Sequence, residues 1–92
     1  MSKAQRKELW QEVKEILWRE WDPIGINSNP ACDGEYDSYV NTIVRLLQAG
    51  ADGYKMSEHL SDLRRVSMGL SSTDKDKERD RHIARRLINL VR

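Results

Sequence analysis

The 92-residue chain contains no phenylalanine, two prolines and a single cysteine, Cys32. One cysteine leaves no partner for an intramolecular disulfide, which excludes a disulfide-stapled fold and favours a reducing cytoplasm. The sequence also lacks an apolar run of about 18 residues, which a membrane-spanning helix would need. Its charged N-terminus has no apolar segment of the kind found in secretory signals. We therefore predict a cytoplasmic protein without a membrane partner.

An excess of charge of one sign is also lacking, because 16 basic and 15 acidic residues give a net charge of +1. The chain therefore lacks the excess of positive charge that is typical of nucleic-acid-binding and membrane-binding domains. The chain contains no HExxH or CxxC spacing, no phosphate-binding glycine loop and no nucleophile elbow. The sequence therefore predicts no cofactor and no metal ion, and it indicates that the protein is not an enzyme.

Apolar residues recur at helical spacing in four segments of the chain. No stretch alternates with a period of two, and no hairpin turn separates β-branched runs, so strands are not expected. The predicted helices span residues 3–21, 35–49, 53–68 and 74–91. We predict an all-α fold with a single domain over residues 1–92, a compact four-helix array with an antiparallel, bundle-like arrangement.

Several helix ends carry capping signals. Ser2 and Asp52 precede the first and third helices, where a side-chain oxygen can accept a hydrogen bond from a backbone N–H of the first turn. Thr73 and Asp76 are spaced as a weak capping box at the start of the fourth helix. The N-terminal half of that helix, DKDKERDR, is wholly charged. We therefore expect it to contribute little to the core.

The stretch that links the first two helices carries four carboxylates and no lysine or arginine: Asp22, Asp33, Glu35 and Asp37. A calcium loop that began at Asp33 would need glycine and glutamate where the chain has serine and valine, so the EF-hand motif fails. The favoured interpretation is structural, because carboxylates at a helix N-terminus satisfy free N–H groups and suit the positive end of the helix dipole. A partner-binding acidic patch, a metal site and a catalytic pair are the alternatives.

Apolar side chains in the same stretch are expected to hold this long connector in place. Ile24 and Ile26 are predicted to pin it to the core, with Tyr36 and Tyr39 packed beside them. Trp18 lies about 80° outside the apolar stripe of the first helix. It therefore either covers the connector or contacts a binding partner.

The fourth helix carries the main basic signal of the chain. Residues 74–92 contain seven basic and four acidic residues. The basic residues include Arg81, Arg85 and Arg86. The favoured interpretation is a solvated helix face, because acids alternate with bases and a basic helix C-terminus suits the dipole. The alternatives are contact with nucleic-acid phosphates and contact with an acidic protein, including a second copy of this chain.

Three short motifs resemble those of a family of small bacterial proteins whose function is not established. They are WDPIG at 21–25, EYDSYV at 35–40 and MGL at 68–70. In that family a first helix runs into a W/L-D-P-I-G turn, a D-E-Y-D-x-Y motif opens the next helix, and Met-Gly-Leu closes a later one. The resemblance covers about residues 15–90 and implies a compact all-α domain, with which an immunity or antitoxin role is compatible. It supplies no catalytic residue, and Gly34 stands where an acidic residue is typical of the family.

Together these features predict a non-enzymatic protein-interaction module that associates with itself or acts as an accessory, immunity-type inhibitor of another protein. In a dimer, the acidic connector of one copy would meet the basic fourth helix of the other. One alternative is nucleic-acid binding through the fourth helix, and the last is a hydrolase-like enzyme that uses the connector carboxylates. The predicted partner-binding residues are Trp18, Asp33, Glu35, Asp37, Arg81, Arg85 and Arg86.

Overall fold

A computed structural model describes residues 2–92, and all the secondary structure in this range is helical. The four main helices are α1 (Lys3–Ile16), α2 (Asp37–Gln48), α3 (Gly53–Asp62) and α4 (Asp74–Asn89). The prediction of an all-α, compact four-helix fold is confirmed. None of the helices in residues 2–92 combines the length and the apolar character that crossing a bilayer requires.

One cluster of buried apolar side chains holds the four helices together. α3 packs along α4, α1 packs along α2, and α1 also contacts α4, so the contacts are those of a helical bundle. The buried members recur at helical spacing along each helix, as the apolar stripes predict. They are Leu9, Val13, Ile16, Leu17, Trp21, Tyr36, Val40, Ile43, Val44, Leu47, Met56, Leu60, Leu63, Ile83, Ala84, Leu87 and Ile88.

Side-chain caps determine where α1, α3 and α4 begin. Ser2 and Gln5 exchange hydrogen bonds as a capping box at the start of α1. Thr73 and Asp76 form a second capping box at α4, and Asp52 accepts from a backbone N–H in the first turn of α3. Each cap satisfies donors that have no partner within the helix. The caps predicted from the sequence are confirmed at all three helices.

One π-helical turn follows each of α1 and α3. We call them the first π turn (Leu17–Trp21) and the second π turn (Leu63–Ser67). In the first, the backbone N–H of Asp22 donates to the carbonyl of Leu17 at 2.9 Å, and the second closes in the same way. A π turn spaces donor and acceptor by five residues instead of four. The sequence predicted helix through both segments, but the apolar spacing does not reveal the wider turn.

The connector between the first π turn and α2 contains a short 3₁₀ turn, Pro30–Cys32. Ile26 is half-buried and packs against the core, whereas Ile24 is exposed. The prediction that both isoleucines pin the connector is therefore confirmed for Ile26 and wrong for Ile24. Asp22 organises the beginning of the connector, because its backbone is left-handed (φ +33°) and its Oδ1 accepts from the backbone N–H of Ile26 at 2.9 Å.

Candidate functional site

A buried carboxylate lies where α4 meets the ends of α1 and α3. Trp21 Nε1 and Arg64 Nη2 both donate to Asp80 Oδ1 at 2.8 Å. Ser61 Oγ donates to Asp80 Oδ2 at 3.0 Å. Asp80 is 0% exposed and Arg64 is 4% exposed, so this is a buried ion pair. We call these four residues the Asp80 network. Its hydrogen bonds and ion pair offset the unfavourable free energy of burying two charges.

The Asp80 network contradicts the expectation that the charged first half of α4 contributes little to the core. Asp80 lies in that half and is completely buried. Arg64 also approaches Asp76, with 3.5 Å between Nη1 and Oδ1, so α4 offers two carboxylates to one arginine. The signal was present in the sequence, because Asp80 stands three residues before Ile83 and seven before Leu87, on the apolar stripe of α4.

A hydrogen bond between Asp22 and Tyr36 joins the two ends of the connector beside the core. Tyr36 Oη donates to Asp22 Oδ1 at 2.7 Å. The buried Tyr36 ring has its centroid 5.9 Å from that of Trp21 and 6.2 Å from that of Trp18. Burial, followed by the hydrogen bond to Asp22, raises the pKa of the Tyr36 hydroxyl well above its usual range. Trp18 is half-buried, packs against the core and contacts the Tyr36 ring at the end of the connector.

Replacing Tyr36 with phenylalanine is expected to lower the free energy of unfolding by about 1.5–3 kcal/mol, because it removes a hydrogen bond to a carboxylate and keeps the ring. The raised pKa means that the folded state holds the hydroxyl proton more tightly than the unfolded state does. This contribution is therefore complete below about pH 10, the unfolded pKa, and declines as the pH rises above it. Urea denaturation at neutral and alkaline pH measures both effects.

Tyr39→Phe is the matched control for this change. Tyr39 packs against the same core, and its hydroxyl makes no hydrogen bond in the described part of the chain. We expect the free energy of unfolding of this variant to lie within about 0.5 kcal/mol of that of the unmodified protein. Equal losses in the two variants would show that the bond to Asp22 contributes nothing.

Lys14 of α1 reaches the carboxylates that precede and begin α2. Its Nζ lies 3.6 Å from Asp33 Oδ2 and 3.4 Å from Asp37 Oδ2, while Glu35 is exposed. α2 has no side-chain cap, so the capping interpretation is wrong there, although Asp37 in the first turn still suits the helix dipole. Within residues 2–92, no three His, Cys, Asp or Glu side chains are grouped to hold a metal ion.

A groove with a basic lining runs between α3 and α4, and we call it the α3–α4 groove. Its first compartment has a volume of about 530 Å³, and its second compartment has a volume of about 390 Å³. Tyr54, Ser57 and Arg81 line both compartments, so the two are adjacent. The charged lining residues are Glu58, Arg65, Lys77, Arg81, Arg85 and Arg92.

Most of the cations in the α3–α4 groove have no partner among the residues that the structure describes. Arg65 donates to Asp62 at 2.6 Å, but the side chains of Lys77, Arg81 and Arg85 have no hydrogen-bond or ion-pair partner within residues 2–92. Tyr54 is 75% exposed beside them. Exposed tyrosine and arginine side chains are the residue types that recur at the centres of protein interfaces.

Arg86 does not belong to this groove. Its Nε and Nη2 donate to the two carboxylate oxygens of Glu20, at 2.9 and 3.0 Å, and this bidentate pair joins α4 to the first π turn. The hydrogen bond from Arg86 lowers the pKa of the Glu20 carboxyl. The structure thus brings Arg81 and Arg85 together in the groove and places Arg86 outside it, paired with Glu20. Partner binding by Arg86 stays a prediction.

Comparisons with protein-family models, with curated proteins and with solved structures found no match to this chain. The resemblance to a family of small bacterial proteins therefore stays a prediction.

Proposed function

We propose that the protein is a non-enzymatic binding module that holds an acidic segment of another protein in the α3–α4 groove. The observation that carries the proposal is a group of three cations, Lys77, Arg81 and Arg85, which lie beside the exposed ring of Tyr54 and have no ion-pair partner in the described part of the chain. Arginine binds carboxylates in a planar, bidentate geometry, and tyrosine adds contact area at a low cost in conformational entropy.

The shape and charge of the groove favour a polypeptide over a nucleic acid. Ile88 is one of the residues that line the second compartment, so the lining is not wholly polar. A nucleic-acid strand carries a charge at every nucleotide and needs a continuous basic track. Here Glu58 interrupts the basic lining of the first compartment. An acidic peptide in which carboxylates are interspersed with apolar side chains can match such a pattern.

A different protein suits the groove better than a second copy of this chain. Lys14 already neutralises part of the connector, where Asp33 and Asp37 were expected to meet the fourth helix of a partner copy. We place the module in a bacterial cytoplasm, on the basis of the single Cys32 and the family resemblance. An inhibitor that covers an acidic segment of its target is one form that such a module would take.

The double variant Arg81→Gln/Arg85→Gln is expected to bind an acidic peptide at least about tenfold more weakly than the unmodified protein. Each charge-assisted hydrogen bond contributes about 1.5–3 kcal/mol, and about 1.4 kcal/mol corresponds to tenfold in affinity. The probe is a short fluorescein-labelled peptide rich in Glu and Leu, and the measurement is fluorescence anisotropy at two salt concentrations.

The matched control is Arg6→Gln/Arg45→Gln, which removes the same charge from exposed positions of α1 and α2. It is expected to bind the peptide as the unmodified protein does. Equal weakening in both double variants would show a general effect of charge and overturn the proposal. Preferential binding of a DNA duplex through Arg81 and Arg85 would replace it with the nucleic-acid alternative, and a dimer in light scattering would make a second copy the occupant.

A further inference from the structure

One shielded hydroxyl in the first compartment of the α3–α4 groove has no hydrogen-bond partner. Ser72 lines this compartment, and its Oγ is buried and unbonded within residues 2–92. The hydroxyls of the other two serines in the lining already donate hydrogen bonds. Ser57 Oγ donates to the carbonyl of Tyr54 and Ser61 Oγ donates to Asp80, each at 3.0 Å. A buried polar group without a partner is unfavourable, so the Ser72 hydroxyl lacks an acceptor that a ligand oxygen would supply.

Two cations that have no partner within residues 2–92 line the same compartment. Lys77 and Arg81 stand four residues apart on α4, so their side chains leave the same face of the helix. Arg65 also lines the compartment, although it is bonded to Asp62. Two free positive charges and a free hydroxyl match an anion with more than one charge and several acceptor oxygens better than they match one carboxylate.

We infer that the first compartment binds the phosphoryl group of a phosphorylated serine or threonine in the acidic partner segment. This inference rests on the proposed function and names the ligand chemistry at one end of the groove. A phosphoryl group carries a charge of about −1.5 to −2 at neutral pH and three strong acceptor oxygens. Lys77 and Arg81 pair with its charge, and Ser72 donates to one oxygen after rotation of its χ1 torsion angle.

Glu58 is the anionic residue in the lining of the first compartment. Changing it tests whether the compartment prefers a phosphoryl group to a carboxylate. The Glu58 carboxylate repels a doubly charged phosphoryl group more than a singly charged carboxylate. Glu58→Gln is therefore expected to strengthen binding of a phosphorylated peptide more than it strengthens binding of the same peptide with glutamate at that position.

The test compares three fluorescein-labelled peptides that differ only at one central position, which holds serine, glutamate or phosphoserine. Fluorescence anisotropy is expected to show the phosphoserine peptide binding at least tenfold more tightly than the other two. Lys77→Gln and Ser72→Ala are each expected to remove most of this preference. Lys75→Gln, an exposed position of α4 outside the lining, is the matched control and is expected to keep it.

The outcomes separate this inference from the proposed function. Equal binding of all three peptides, lost in Arg81→Gln/Arg85→Gln, would overturn the phosphoryl site and leave the acidic-segment module standing. A glutamate peptide as tight as the phosphoserine peptide would also overturn it. No binding of any of the peptides would overturn both. Ser72→Ala removes an unbonded hydroxyl, so an unchanged unfolding midpoint excludes loss of fold as the cause of its effect.

Discussion

Asp80→Ala is expected to lower the free energy of unfolding by about 3–5 kcal/mol, because it leaves a buried arginine without its main partner. Arg64 would keep only the longer contact to Asp76, at 3.5 Å, and Trp21 and Ser61 would lose the acceptor of their hydrogen bonds. Small domains are stable by only about 5–15 kcal/mol, so much of the margin would be lost. Guanidinium denaturation followed by circular dichroism measures the change.

Two further variants show whether the buried charge is the cause. Glu78→Ala removes an exposed carboxylate from the same helix and is expected to change stability by no more than about 0.5 kcal/mol. Asp80→Leu/Arg64→Met replaces the ion pair with apolar side chains and is expected to be more stable than Asp80→Ala, because no buried charge is left unpaired. If Asp80→Ala costs no more than Glu78→Ala, the network does not stabilise the fold.

Trp21→Ala is expected to lower the free energy of unfolding by about 3–5 kcal/mol, the range for deleting a large aromatic side chain from a core. Trp21 is 0% exposed, its ring packs against Tyr36, and its Nε1 donates to Asp80. Urea denaturation followed by far-ultraviolet circular dichroism measures the loss. Because Trp21 and Asp80 share a hydrogen bond, the double variant Trp21→Ala/Asp80→Ala is expected to lose less than the sum of the two single losses.

Trp18→Ala is the matched control, since it deletes the same atoms three residues earlier in the first π turn. Trp18 is half-buried and packs on the outer side of the core cluster, so its removal leaves a smaller cavity and is expected to cost less than Trp21→Ala. A larger loss at Trp18 than at Trp21 would contradict the assignment of Trp21 as the core residue.

The order and type of the helices were predictable because local signals specify them. Ser2, Asp52 and Thr73 cap helices through hydrogen bonds to residues only three positions away, and apolar periodicity indicates which face is buried. The partners of Asp80 were not predicted, since Trp21 and Arg64 lie 59 and 16 residues away from it in the sequence. The position of Asp80 on the apolar stripe of α4 indicates burial, but a stripe on one helix does not identify the donors on other elements that pair with it.

The candidate site was predictable only in part. Arg81 and Arg85 were identified from charge alone, but Arg86 follows Arg85 by about 100° around the helix axis, which turns it toward Glu20 and out of the groove. Tyr54 was missed because its exposure depends on how α3 packs along α4. Tertiary packing, which no local pattern reports, creates the groove.

The two π turns have a consequence for insertions and deletions. Trp21 is the last residue of the first π turn and Arg64 lies in the second, so both donors reach Asp80 from a turn that is one residue wider than an α-turn. Deleting one residue from either turn restores α-helical spacing and rotates the following side chains by about 100°. We expect an exposed position such as Arg19 to tolerate a change of residue type, whereas we do not expect either turn to tolerate a change in its number of residues.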